Sequence, residues 1–263
     1  MGEDIRIERQ GRVGWVVIDR GDGRNSLRPQ TLGEICDAVD ALTADPAVRA
    51  IVLAADGKHF SAGADFAFLD ELTRTPGMTI KGQIYGLFQG AARRLFHCPK
   101  PTIAAVQGAA VTVGCELALA CDFRIVAPSA QFQESWIKLG ILPPLGGLYL
   151  LPRLIGLGRA AEMALTGRAV GGVEAVNIGL ASECVDADGA LAERVQVFAE
   201  SLADLPPLAY RMAKEAMHRG LDSSMESEWS ANVLAQSLLL GAADFREGLA
   251  AVKERRPGVF TGA

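Results

Sequence analysis

Apolar positions along the chain change period several times, and each change marks an element. Gly14 to Asp19 (GWVVID) is rich in β-branched residues and ends at the turn-rich stretch Arg20 to Ser26 (RGDGRNS), which predicts a strand and then a loop. From Thr31 to Leu42 the apolar residues Leu32, Ile35, Ala38, Val39 and Leu42 recur at helical spacing, and Asp45 and Pro46 stop them. Ala50 to Ala54 (AIVLA) reads as a short continuous apolar strand. Strand, helix and strand at this length predict parallel pairing behind a right-handed crossover.

The alternation continues downstream. A loop from Asp56 to Asp65 leads into a helical pattern that runs to about Phe96. Then come a strand from Thr102 to Gln107, a short helix near Cys115 to Cys121 and a strand from Phe123 to Ala127. The core is therefore α/β. Beyond Pro152 the pattern turns helical, with candidates at Arg159 to Leu165, Ala190 to Leu202, Pro207 to Arg219, Met225 to Leu240 and Ala242 to Arg255. No linker-like composition intervenes; we divide the chain into an α/β core, residues 1–200, and a helical region, residues 201–263. The last helices are apolar all round, so they need cover that a second copy could supply.

Composition narrows the chemistry. The 263 residues carry 26 Lys and Arg against 31 Asp and Glu, a formal net charge of −5, and no basic cluster that predicts a nucleic-acid partner. Three His and five Cys, none at metal-ligand or C-x-x-C spacing, argue against a metal site, a redox dithiol and a disulfide scaffold. The first residues (MGEDIRIERQ) carry no apolar signal region, so reduced thiols in a cytoplasmic protein are expected. Ile103 to Cys121 is long enough for a membrane span, but Gln107, Thr112 and Glu116 interrupt it; it reads as buried core, with no membrane partner.

Two loops stand out. Phe60 to Asp65 (FSAGAD) and Gly108 to Gly114 (GAAVTVG) each follow a strand and precede a helix, and their small side chains allow close approach to the backbone. If they converge, their N–H groups form an oxyanion hole. Just beyond the second loop, Glu116 lies among Val113, Cys115, Leu117, Leu119 and Ala120, where burial should raise its pKa toward acid/base values. With Val113 as N-cap, Glu116 would instead occupy a capping-box position.

His59 to Asp65 (HFSAGAD), Ala104 to Gly108 (AAVQG), Gly114 to Asp122 (GCELALACD) and Leu151 to Gly156 (LPRLIG) after Gly146 and Gly147 carry a resemblance. So do Arg24 to Leu27 (RNSL) and the tail from Asp244 to Gly262. On these segments the chain resembles the enoyl-CoA hydratase/isomerase (crotonase) family over nearly its whole length. The resemblance implies a spiral of β-β-α units, a C-terminal helical region that trimerises, often as a dimer of trimers, and an acyl-CoA thioester substrate. It implies no metal or redox cofactor, coenzyme A entering only as part of the substrate.

By the same resemblance, the oxyanion donors are the N–H groups of Ala64 and Val113, and Glu116 is the first catalytic glutamate. Ala62 and Asp65 share the donor loop, Arg24 and Ser26 line the coenzyme A channel, Gln89 faces the acyl pocket and Phe260 covers the adenine. The chain departs from the pattern in two places. Thr112 and Val113 replace glycines, and Trp136 stands where hydratases of the family carry a second glutamate. Trp136 is then a pocket wall or a core aromatic. Glu134, two residues earlier, would sit on the same strand face nearly 7 Å away, too far to substitute. The expected activity is a hydratase/isomerase-type lyase with Glu116 as acid/base. A thioester hydrolase or C–C lyase, or a silent acyl-CoA-binding protein, are the alternatives.

Overall fold

The computed structural model describes residues 3–263, apart from the side chains of Gln83 and Tyr85. An antiparallel hairpin, β1 (Ile5–Gln10) and β2 (Val13–Ile18), opens the fold. The apolar pattern does not predict β1, which has two apolar residues, Ile5 and Ile7; the ladder to β2, from Ile5 opposite Ile18 to Gln10 opposite Val13, satisfies its backbone. Helix α1 (Pro29–Ala44) then crosses to β3 (Ala50–Ala55), parallel to β2 as the sequence predicts.

The helical stretch before Phe96 is segmented into α2 (Phe66–Leu72), α3 (Gly77–Gln83), a π turn at Ile84–Phe88 and α4 (Gln89–Phe96). Next come β4 (Thr102–Val106), β5 (Ala109–Val111), α5 (Val113–Ala120), β6 (Phe123–Val126) and β7 (Gln131–Gln133). A 3-10 turn at Ser135–Leu139 follows, then α6 (Gly147–Ile155), α7 (Leu157–Thr166), β8 (Ala169–Gly171), α8 (Gly172–Asn177) and β9 (Glu183–Cys184). The chain ends in α9 (Leu191–Ala203), α10 (Pro207–Gly220), α11 (Met225–Gly241) and α12 (Ala243–Glu254).

The main sheet has the order β1-β2-β3-β4-β6-β9, and a smaller one the order β5-β7-β8. The chain leaves the main sheet at the end of β4 and of β6, adds a short strand to the small sheet, and then turns into a helix. After β3 the same course is reduced to two isolated bridges, Ser61 to Ala110 and Ala64 to Leu27, before α2. This is the β-β-α repetition that the resemblance implies. Side chains alternate across the main sheet: Val16, Ile18, Ile51, Leu53, Ala104 and Val106 pack with Leu32, Leu95 and Leu117 of α1, α4 and α5. Trp15, Val17, Val52, Ala54, Ile103 and Ala105 pack on the other face with Leu191, Val195 and Ala199 of α9.

The C-terminal helices are tied to this core by one buried ion pair. Lys214 Nζ of α10 donates to Asp122 Oδ2 at 2.8 Å, and the Tyr210 hydroxyl and the Thr102 N–H donate to the same oxygen. Helix α11 buries no residue and exposes Trp229, Leu234 and Leu238. Among the described residues, no helix is long and apolar enough to cross a membrane.

Removing one partner of a buried pair strands the other charge. Lys214→Ala should therefore cost about 3 kcal/mol of unfolding free energy, read as a lower urea midpoint. A loss below about 1 kcal/mol, the size of a surface pair, would contradict the anchoring role.

Candidate active site

Helix α5 is buried at every residue, and Glu116 is its one charged side chain. Its C-terminal carbonyls are held by buried Arg124, whose Nη1 donates to Cys121 O at 2.7 Å and Ala118 O at 3.2 Å. The N-cap is Thr112 rather than Val113, so Glu116 lies one residue past the capping-box position. Its N–H makes the first intrahelical bond, to Thr112 O at 3.0 Å, and its side chain turns inward. Oε1 accepts from the N–H groups of Leu145 and Gly147, both at 2.8 Å, and Oε2 from Trp136 Nε1 at 3.2 Å. Burial pushes the Glu116 carboxyl up to about 7, and these donors, Gly147 first, hold it from rising further.

The two small-residue loops do converge. Ser61 N donates to Ala109 O and Val111 N to Ser61 O, at 2.8 and 3.0 Å, so the loops run side by side. The contact demands glycine twice. Gly63 has φ +99, and a Cβ there would strike the Thr112 hydroxyl and stand 2.9 Å from Val111 O; a Cβ on Gly114 would stand 2.7 Å from Ser61 Cβ. Thr112 itself has φ 47 and ψ −113, a strained conformation for a β-branched residue, stored where the second loop enters α5. Around Ala64, the neighbouring Gly63 N–H goes to Ser61 Oγ and the Asp65 N–H to Leu27 O. Among the described residues no acceptor takes the N–H of Ala64 or of Val113. Two donors are thus left for an oxyanion beside the helix that carries Glu116.

Glu134 is the residue that the sequence reading misplaces. Strand β7 ends at Gln133, Glu134 has φ −101 and ψ 74, and Ser135–Leu139 coils into a 3-10 turn, so strand spacing does not apply. The turn brings Glu134 and Trp136 to the same carboxylate. Glu134 is fully buried, and its Oε1 lies 3.3 Å from where a Cβ on residue 147 would stand, a point only 3.1 Å from Glu116 Oε1. Burial and the Glu116 charge push its carboxyl well above the usual carboxylate range. Trp136 is both expected things at once: buried, bonded to Glu116, and part of the wall of an apolar cavity of about 860 Å³.

That cavity runs from Ala64 between α2, α3 and the segment 139–144, with Phe68, Ile84, Phe88 and Leu142 on its walls. The sequence analysis expects an acyl pocket with Trp136 as a wall; the other walls come from the segmented helices after Asp65. The backbone donors Leu145 and Gly147 were missed because no side chain announces them, although the glycine pair 146–147 is a signal for close approach.

The remaining candidates divide. Arg24 and Ser26 do lie against the donor loop, since Ala62 N donates to Arg24 O and Leu27 N to Gly63 O; the Arg24 side chain is exposed. Asp65 is committed elsewhere: it caps α2 through the N–H groups of Ala67 and Phe68 and pairs with Arg20 at 3.0 Å. Gln89 does not line the cavity; its Nε2 donates to Pro144 O at 2.8 Å and so holds the cavity's rim. Phe260 is not with the others in this chain. Its ring packs near Gly248 of α12, and its carbonyl accepts from Arg49, which precedes β3, whereas the donor loop follows β3. Among the described residues, no group of three or more His, Cys, Asp or Glu could hold a metal ion.

The sequence model of the enoyl-CoA hydratase/isomerase family matches residues 8–263. A probable enoyl-CoA hydratase of Mycobacterium bovis is 38% identical, and a crotonyl-CoA hydratase of Syntrophomonas wolfei 36%, each alignment covering 98% of both chains. The crystal structure of an enoyl-CoA hydratase from Bacillus anthracis superposes with a TM-score of 0.91 at 32% identity, over 99% of this chain and all of that one. With its β-β-α spiral, its paired donor loops and its glutamate at the head of α5, this chain belongs to the enoyl-CoA hydratase/isomerase family.

Proposed function

We propose that the protein hydrates, or shifts, the double bond of a 2-enoyl-CoA thioester with Glu116 as its acid/base. The observation that carries the reading is the placement of Glu116 directly after two converging loops with free N–H groups. The thioester oxygen accepts from Ala64 N and Val113 N, and these fixed dipoles stabilise the enolate as charge develops. Ionised Glu116 takes a proton from water as the oxygen attacks Cβ, and returns a proton to Cα. A group titrating near neutrality serves both directions. Isomerisation needs the same base and no water.

The apolar cavity supports a bulky or extended acyl group, since about 860 Å³ lies toward the upper end of small-molecule sites. The exposed apolar side of α11 supports assembly as a homotrimer or a dimer of trimers. Five free cysteines suit a reducing, cytoplasmic setting. One feature supports a second reading, binding without turnover: Trp136, not Glu116, forms the cavity wall.

Incubation with 2-enoyl-CoAs of graded chain length separates the two. Product should form, and Glu116→Gln should lower kcat by about 100-fold or more. Equal turnover in the variant would remove Glu116 as the base, and tight binding with no product by mass spectrometry would favour the binding protein.

The pH profile follows from burial. The ionised form is the base, so kcat/KM should fall about tenfold per unit below a pH of about 7. Trp136→Phe removes a donor that favours the charged form and should move this limb to higher pH. A limb near the ordinary glutamate value of about 4.3, or one unmoved by the substitution, would contradict the assignment.

A further inference from the structure

The pair of buried carboxyl groups is chemically unequal, and the inequality is visible in the donors. Glu116 accepts three hydrogen bonds from N–H groups. Both Glu134 oxygens are buried, and among the described residues neither accepts a hydrogen bond. An ionised carboxylate has about four acceptor sites, and burying one without donors is strongly unfavourable, whereas the neutral acid tolerates the same place.

The Cys115 thiol and the Trp136 indole lie near enough to Glu134 to favour its charge, but burial and the Glu116 charge outweigh them. From α5 it meets Glu116 and Cys115, from its own turn the Trp136 indole, whose N–H is already directed to Glu116, and from α6 the backbone of Gly147. The Cys115 thiol is itself pushed well up by burial and stays protonated. Gly147 is the hinge of the arrangement. Its N–H binds Glu116 Oε1, and its lack of a Cβ leaves the room in which the two carboxyl groups approach each other. Two like charges so placed are strongly disfavoured in a buried site.

We propose that Glu134 is a positioning residue for Glu116: the two buried carboxyl groups hold one proton between them at neutral to mildly alkaline pH, Glu134 keeps it, and Glu116 remains the one charge at the head of α5. The inference rests on the reading of Glu116 as acid/base and deepens it. It gives a part to a side chain that stands two residues from the place where the second glutamate of hydratases was expected. Glu134 does not touch substrate. Kept neutral, it leaves the proton affinity of Glu116 to be set by burial and by the three N–H donors; once ionised, it would drive Glu116 to take its proton back.

Infrared spectroscopy of the full-length protein, without substrate, tests this through the C=O band of protonated carboxyl groups. Between about pH 5 and pH 9, wild type should lose half of the buried-carboxyl band and retain the other half. At pH 9 the retained band should persist in Glu116→Gln and vanish in Glu134→Gln. Complete loss of the band in wild type by pH 9, or an unchanged band in Glu134→Gln, would overturn the proposal. Complete loss in wild type overturns the proposal even where a variant fails to fold. Because no substrate is present, failure to turn over any enoyl-CoA would count against the proposed function and leave this result standing.

Discussion

A carboxylate inside an otherwise apolar helix is unfavourable unless donors converge on it, and the rest of the site is arranged around that requirement for Glu116. Trp136 and Leu145 reach it from the segment between β7 and α6, and Gly147 from the first residue of α6. Helix α5 is fixed at its other end by the Arg124 guanidinium. With both ends held, the first turn of α5 cannot drift, and Val113 stays beside Ala64. One donor, Val113, and the acid/base are therefore positioned by one rigid element, and the loop that carries Ala64 is held against it.

Close packing of those loops has its own demands. Gly63 and Gly114 are required where Thr112 and Ser61 press against them, and Thr112 accepts a left-handed φ to turn the chain from β5 into α5. The strain sits beside the donor N–H groups, where a looser turn would let the first residues of α5 move. Thr112 and Val113 replace glycines of the family pattern. Val113 is fully buried, so its side chain lies in the core while its N–H remains available.

Much of the architecture was legible because it depends on periodicity. The crossover from β2 through α1 to β3, the strands β4 and β6, and the helix carrying Glu116 all follow from apolar spacing and turn residues. Strand β1 was hidden, since edge pairing supplies what its two apolar residues do not. Within the site, legibility ended where backbone geometry took over. Glu134 was visible as a carboxylate two residues before Trp136, but assuming a continued strand put it on the wrong spacing; a 3-10 turn folds it against Glu116 instead. Asp65, placed in the donor loop by sequence, spends its carboxylate on capping α2, for which an aspartate before a helix is well suited. Phe260 and the cavity walls depend on long-range packing that no local pattern encodes.

The central claim is that the Ala64 and Val113 N–H groups act together on one thioester oxygen next to Glu116. The most direct measurement is the 13C NMR shift of a carbonyl-labelled 2-enoyl-CoA, or of its unreactive saturated analogue, bound to the protein. Two hydrogen bonds from fixed dipoles polarise the carbonyl, so the signal should move downfield on binding and stay there in Glu116→Gln. A bound thioester whose carbonyl keeps its free-solution shift would contradict the account.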